Sequence, residues 1–531
     1  MEKYIMPCRI VLAENTESVE RLLEEKPLQT NFTSDDCTVI KKGGFVLVDF
    51  GKELCGGIIA AVQKTSNFPD CGKCRIVFGE SVMESLSTLG YKNATNNHSV
   101  RDTIVEVSSM STFRYGNTGF RFVKLEAVDS DIFVKSLKAE TDIKELEYKG
   151  SFECNDELIN EIWKTGAYTV HLNMHEFVWD GVKRDRLVWI GDMHSEVATI
   201  NAVFGNDESV PQSLDFIKNE TPSEKWMNGI ATYSMWWVII HHDWYMHWGN
   251  IEYLYEQKAY LKKLTEHAIK WIDDGFDGRA SERFVDWSSK ETSCEIEGVK
   301  AVFCMGLDCA ARLFDILGEE AYAQKAEAYA QGLRAMKVEE RLNKRIAALT
   351  LLSGRPSDDA REMLEGNSAK DMSCFLGYYV LLAKARLGDF NDALDIIREY
   401  WGGMIKLGAT TFWEDFDVEW IKNSAGIDVV TPAGMKDIHG DFGRYCYKQF
   451  RHSLCHGWAS GPTAFLSQRV LGIEILEPGC RMVRINPNLG DLKWVKGTYP
   501  TLYGNITIEH KKVNGKVDTK VMAPEEIEIV F

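Results

Sequence analysis

The sequence predicts a multidomain α+β chain in which a central toroid of paired helices is flanked by an N-terminal β-sandwich and a small C-terminal β-sandwich domain. Three observations predict it. Hydrophobicity alternates with period two up to about residue 148, recurs every three to four residues from about 155 to 472, and returns to short alternating runs beyond Gly472. A chain of 531 residues exceeds what one hydrophobic core usually serves, so several domains are expected. Fourteen of the fifteen tryptophans lie between Trp163 and Trp458, so the helical part differs in composition as well as in period.

In residues 1–148, short β-branched and aromatic runs at 44–51, 56–62, 75–79, 103–107 and 120–128 are bounded by glycine or by polar turns, as in a sandwich. Residues 149–472 open with Asn155 as candidate N-cap of a helix carrying Ile159, Ile162, Trp163, Ala167 and Val170. Helical spacing recurs near 193–204, 231–247, 251–274, 297–317, 319–334, 345–352, 357–364, 367–387, 389–405 and 457–471. No repeat of 33–34 residues suggests a solenoid, and a closed toroid with a concave end is the economical arrangement. Residues 473–531 return to strands near 482–485, 492–495, 504–510 and 516–521.

A formal charge of -18 and a pI near 5.3 argue against nucleic acid or an anionic membrane as partner. No apolar run approaches the roughly 20 residues of a spanning helix, and the first residues lack the apolar core of a signal peptide. Thirteen scattered cysteines fit reduced thiols, so a cytoplasmic protein is expected. The lone pair Cys71 and Cys74 reads as a turn between strands rather than a zinc site. His241, His242 and His247 read as buried or stacking histidines, and no metal or other cofactor is expected.

Chemistry concentrates in residues 179–194, where Asp180, Arg184, Asp185, Trp189 and Asp192 crowd together. A polar helix connection with mutual ion pairs is the bland reading of this stretch. Tryptophans beside polar groups recur at Trp244, Trp287, Trp413 and Trp458; indole faces suit the C–H face of a pyranose, and nearby carboxylates accept its hydroxyls. Core packing is the competing reading for each. Glycoside hydrolysis needs one protonated and one ionised carboxyl, and Glu414, in the Gly/Thr-rich stretch 408–414, is the second candidate acid.

Residues 180–192 follow the pattern D-x-x-x-R-E-x-x-x-W-x-G-D with Asp185 at the Glu position, and residues 408–414 follow G-A-T-T-x-W-E. Together with His456 before a late helix, Glu477-Pro478-Gly479 and Ile485-Asn486-Pro487, they make the chain resemble the bacterial α-L-rhamnosidases of glycoside hydrolase family 78. The resemblance implies a β-sandwich, an (α/α)6 barrel and a C-terminal β domain, and an exo-acting, inverting hydrolase of small rhamnosides. It implies Asp185 as general acid, Glu414 as general base, and Asp180, Arg184, Asp192 and His456 as sugar ligands. Trp189, Trp244, Trp287 and Trp413 become pocket walls. Asp185 departs from the family's Glu, setting the carboxyl back by about 1.5 Å. Two alternatives stay open, a sugar-binding homologue without turnover and a hydrolase or lyase for unsaturated uronates. The flanking β domains are read as packing supports, with a homodimer surface among the roles open to them.

Overall fold

A computed structural model describes residues 3–33, 35–279, 281–288, 290 and 292–531. The N-terminal strands form one antiparallel seven-stranded sheet whose spine is the 28-residue strand Thr38–Thr65. Its two ends flank the same residues, 132–134, so the expected sandwich is a single sheet folded on itself. Register shifts between Asp49 and Leu54 and between Gly56 and Ile58 mark the bend. Gly56 is required there, because φ is 140° and a Cβ would stand 2.2 Å from the Glu140 carbonyl oxygen. Ile40, Val48, Phe50, Phe78 and Phe120 fill the space between the layers, each burial contributing about 1.5–3 kcal/mol.

The barrel opens with helix Glu157–Asn173. Asp156, rather than Asn155, is its N-cap: the carboxylate accepts the N–H groups of Leu158 and Ile159 at 3.0 and 3.3 Å. Asn155 accepts from the Lys493 and Trp494 amides at 2.6 and 3.3 Å, tying the barrel's start to the C-terminal domain. Six inner helices, Met193–Val203, Ala231–Trp248, Glu295–Ile316, Lys344–Leu352, Gly377–Leu387 and Gly461–Phe465, pack each against the next and the last against the first. The ring thereby closes. Ala231–Trp248 is buried on all sides along its first three turns, which is why it lies inside.

Outer helices Glu157–Asn173, Ile251–Asp273, Glu320–Ala335 and Phe390–Lys406 present one apolar stripe inward. Ser209–Glu220 and Asp358–Met363 complete the outer set. Sequence periodicity misses Ser209–Glu220, whose buried apolar stripe is only Val210, Leu214 and Ile217. It also overextends the segment at 367–387, since Asp371 takes φ of 59° and the helix begins at Gly377. No helix among the described residues is long and apolar enough to cross a membrane.

Beyond Gly472 two small sheets form the C-terminal domain, and Ser151–Cys154 pairs with Trp494–Thr501 as the edge strand of one. A strand from the 149–472 stretch thus belongs spatially to the last domain. Val483, Val495, Tyr499 and Ile508 share one core with the barrel, and His247 Nε2 lies 2.7 Å from the Tyr499 hydroxyl. Cys71 is exposed ahead of strand Gly72–Gly79, which buries Cys74.

The folded sheet docks on the barrel through buried charge. Lys183 Nζ sits 2.8 Å from Glu84 and 3.2 Å from Glu80, and donates to the Phe450 and His452 carbonyls at 2.7 Å each. Burial raises the Glu84 carboxyl, but Arg101 and Lys183 outweigh it and hold the group at about 2. Glu80, Glu84 and His439 converge closely enough to share an ion, and Lys183 with Arg101 supplies positive charge at that spot. His439 bonds Ser81 Oγ and the His452 carbonyl at 2.8 and 3.0 Å.

Replacing Lys183 with methionine leaves two buried carboxylates to Arg101 alone, and is expected to cost about 3–5 kcal/mol in equilibrium denaturation. A loss below about 1 kcal/mol contradicts this anchoring. Burial also pushes His241 and His439 down to about 3. The unfolded chain takes up protons on these imidazoles below about pH 6.5 while the folded chain does not, so stability falls as pH drops from about 6.5 toward 3. The slope is about 1.4 kcal/mol per histidine per pH unit, and denaturation midpoints that do not move between pH 7 and 4 contradict it.

Candidate active site

Three segments far apart in the chain meet at the end of the ring where inner helices begin. Residues 179–192 lead into Met193–Val203, residues 408–415 follow Phe390–Lys406, and residues 453–458 lead toward Gly461–Phe465. Backbone bonds stitch them together. The Gly457 amide donates to the Asp180 carbonyl at 2.8 Å, the His456 amide to Phe412 at 2.9 Å, and the Glu414 amide to Ser453 at 3.0 Å. From the N-terminal domain, the Gly119 amide donates to the Val182 carbonyl at 2.9 Å.

They enclose a cavity of about 410 Å³, within the range of small-molecule sites. Asp180, Arg184, Asp185, Asp192, Glu414 and His456 all line it. Arg184 joins the two candidate acids: Nη2 pairs with Glu414 Oε1, and Nη1 lies 3.2 Å from Asp185 Oδ1. Because one planar guanidinium spans both, the two bonded carboxyl oxygens are no more than about 8 Å apart. Arg184 is itself buried, donates to the Arg451 carbonyl at 3.1 Å and lies over the Tyr447 ring at 5.4 Å. Glu414 Oε2 accepts the Ser453 amide at 3.2 Å.

A second cluster stands beside this pair. Asp192 Oδ2 lies 3.2 Å from His456 Nε2, and Asp192 Oδ1 accepts from the Tyr233 hydroxyl at 2.8 Å. Gly191 makes the second contact feasible, since a Cβ there would stand 2.2 Å from the Tyr233 ring. Burial raises Asp192, against the pull of His456 and Tyr233. Asp180 is raised well above the carboxylate range by burial, which the neighbouring Asp185 and Asp192 reinforce and His456 opposes. Burial pulls His456 down, but Glu414 and Asp192 outweigh it and leave the imidazole raised. Its Nδ1 has no hydrogen-bond partner among the described residues.

Trp189 and Trp287 line the cavity, the first edge-on to Tyr233 at 6.2 Å and the second packed on Phe284 at 5.2 Å. Two expected walls, Trp244 and Trp413, are not among the residues lining this cavity. Trp244 lies eleven residues past Tyr233 on one helix, about 16 Å further along, and is buried 5.7 Å from Trp248. Trp413 is buried edge-on against Phe416, while the next residue, Glu414, lines the cavity.

Sequence reasoning missed Tyr233 and Tyr447, which line the cavity. It noted Trp458 but did not select it as a wall. Trp458 donates from Nε1 to the Glu414 carbonyl at 3.1 Å, and its place two residues after His456 was the available signal. Arg279, Glu282 and Lys290 line the cavity from a loop without periodicity, which offered no signal.

Residues 147–346 match the bacterial α-L-rhamnosidase six-hairpin glycosidase domain, and residues 472–530 match the bacterial α-L-rhamnosidase C-terminal domain. Glu414 and His456 lie outside both stretches. An α-L-rhamnosidase of Formosa agariphila is 34% identical over 86 residues, 15% of this chain and 9% of that protein. Among solved structures, the family 78 rhamnosidase of Bacillus sp. GL1 aligns with a TM-score of 0.78 at 20% identity, over 96% of this chain and 55% of that one. The Streptomyces avermitilis α-L-rhamnosidase complexed with L-rhamnose aligns with a TM-score of 0.73 at 16% identity, over 93% and 50%. A Klebsiella oxytoca rhamnosidase with rhamnose bound gives 0.63 at 17%, over 88% and 96%. The chain thus spans about half the length of the first two structures and a small part of the Formosa protein. At these identities the structural likeness shows the fold. With both matched domains in their expected order on that fold, the chain is similar to the bacterial α-L-rhamnosidases of glycoside hydrolase family 78.

Proposed function

We propose that the protein is an exo-acting, inverting glycoside hydrolase that removes a terminal α-L-rhamnosyl or related deoxysugar residue from a small glycoside. The observation that carries this reading is the pair Asp185 and Glu414, bridged by Arg184 on the wall of one cavity. Their separation of no more than about 8 Å brings both carboxyls within reach of one glycosidic bond, and it spans both the spacing of about 5–5.5 Å in retaining enzymes and the lower part of the range of about 6.5–9.5 Å in inverting ones. In this reading Glu414, paired with Arg184, takes a proton from that water. Asp185 gives a proton to the glycosidic oxygen. Asp180, Asp192 and His456 bind sugar hydroxyls, Trp189 and Trp287 receive the ring's apolar face, and Arg184 sets the spacing of the acids. Trp244 and Trp413 have no place in it.

Rhamnose bound in two of the similar structures supports the sugar class, and a cavity sized for one small molecule supports exo action. All thirteen cysteines are free, which supports a reducing compartment such as the cytoplasm.

One observation favours a second reading, a sugar-binding protein without turnover. Asp185, the shorter acid at the Glu position, already has Oδ1 engaged by Arg184 at 3.2 Å and by His98 at 3.3 Å.

The wild-type protein is expected to release 4-nitrophenol from 4-nitrophenyl α-L-rhamnoside. Glu414→Gln is expected to lower kcat by about 10²–10⁴-fold, as loss of a general base does. Asp185→Asn should bring a comparable loss on alkyl rhamnosides, whose leaving group needs a proton, and a smaller one on the nitrophenyl substrate. Calorimetric binding of L-rhamnose with no turnover of any aryl glycoside by the wild type selects the second reading.

A further inference from the structure

The turn that carries Asp185 is held by the N-terminal domain. Asp185 and Arg186 take φ of 60° and 55°, a left-handed conformation that costs non-glycine residues about 1–3 kcal/mol each and persists only where neighbours impose it. Arg186 turns away from the cavity: Nε donates to the Val182 carbonyl at 2.9 Å, Nη1 to Asn117 Oδ1 at 3.0 Å, and the guanidinium lies 5.2 Å from the Trp179 ring centre. Asp185 meets the same domain through His98, whose Nε2 lies 3.3 Å from Oδ1. The loop bearing His98 is pinned in turn, since Ser99 Oγ donates to the Asn117 carbonyl at 2.8 Å.

These contacts pose a chemical question that resting on the proposed hydrolase makes sharp. Oδ1 of Asp185 accepts from Arg184 at 3.2 Å and lies 3.3 Å from His98 Nε2, and protonating a leaving group requires this carboxyl to be resupplied with a proton at each turnover. The charged groups facing Asp185 are Arg184 on its own loop, Asp180 at the loop's start, Glu414 across the Arg184 guanidinium, and His98 from a loop of the N-terminal domain. Of these, only the imidazole belongs to the class that ordinarily exchanges protons between about pH 5 and 8. His98 is also 34% exposed on its side chain, so solvent reaches it.

We propose that His98 is a positioning residue that keeps Asp185 supplied with its proton, so that the N-terminal domain completes the acid half of the site. As the bond between C1 and the glycosidic oxygen breaks, its electron pair stays on that oxygen, which takes the proton from Asp185 Oδ2. The Nε2 proton of the His98 imidazolium neutralises the resulting carboxylate at Oδ1, and neutral His98 recovers a proton from solvent. A shorter acid with a second proton carrier behind it stands here in place of the family's glutamate.

The test is His98→Gln, which keeps an N–H donor but cannot titrate, compared with wild type on alkyl and 4-nitrophenyl α-L-rhamnosides across pH. The variant is expected to lose about tenfold or more on the alkyl substrate and less than about threefold on the nitrophenyl one. The basic limb of kcat/KM is expected to move to lower pH, because the acid form of Asp185 then persists only where the carboxyl alone holds it. Equal losses on both substrates with an unmoved limb overturn the proposal and leave His98 a structural contact. If the wild type hydrolyses neither substrate, the hydrolase reading itself fails. The pair is then tested by NMR titration of His98: a midpoint that falls in Asp185→Asn supports it, and an unchanged midpoint overturns it.

Discussion

One guanidinium sets the geometry on which the site depends. Arg184 is buried, so its charge must be matched, and it is matched by the neighbouring Asp185 and by Glu414, which lies 230 positions further along the chain. Truncating one partner of a buried pair leaves the other uncompensated at a cost of several kcal/mol, so Asp185 and Glu414 are held to one wall by electrostatics as much as by backbone. Its remaining Nε–H is spent on the Arg451 carbonyl, and Tyr447 covers its face. The fork therefore has little freedom to swing. Glu414 is fixed again at its second oxygen by the Ser453 amide, so the acid on the barrel side has no slack either.

Around that fork the three domains divide the labour. The ring of inner helices brings the segments at 179–192, 408–415 and 453–458 to one end, and interstrand-like amide bonds at Gly457, His456 and Glu414 fix their register. The folded N-terminal sheet then clamps the first two from outside, through Lys183 with Glu80 and Glu84, and through Arg121, which pairs with Asp49 and donates to the Gly408 carbonyl at 3.0 Å. The left-handed turn at Asp185 and Arg186 is the segment that most needs this support, and it is the segment against which His98 and Asn117 are placed. The C-terminal domain contributes differently. It shares the barrel's core through Tyr499 and Val495 and takes its edge strand from Ser151–Cys154, so it supports the far end of the ring.

Much of this was legible in the sequence, for identifiable reasons. The change of period near residue 155 and again near 472 is a direct record of sheet, helix and sheet, and Asp180, Arg184, Asp185, Trp189 and Asp192 lie close enough in sequence for one loop to bring them together. Contacts between distant segments were less accessible. Lys183 looks like one more charge in a polar run, and only the fold shows it buried between two glutamates of another domain. Trp244 and Trp413 sit beside acids in sequence as Trp287 does, yet both are packed into the core away from the cavity. Tyr233 belongs to an apolar helix and has no local feature that separates it from a packing residue until Gly191 is seen to make room for its ring. His98 lies in a polar loop whose pattern carries no chemical signal, and its meaning comes wholly from the acid it touches.

The central claim is that Asp185 and Glu414 act on opposite faces of one sugar with a water between them. The most direct measurement is proton NMR of the first product formed from an aryl α-L-rhamnoside, read before mutarotation mixes the anomers. The account predicts that β-L-rhamnose appears first. Initial release of α-L-rhamnose contradicts it, because that outcome requires a carboxylate bonded to the sugar carbon, the course of a retaining enzyme.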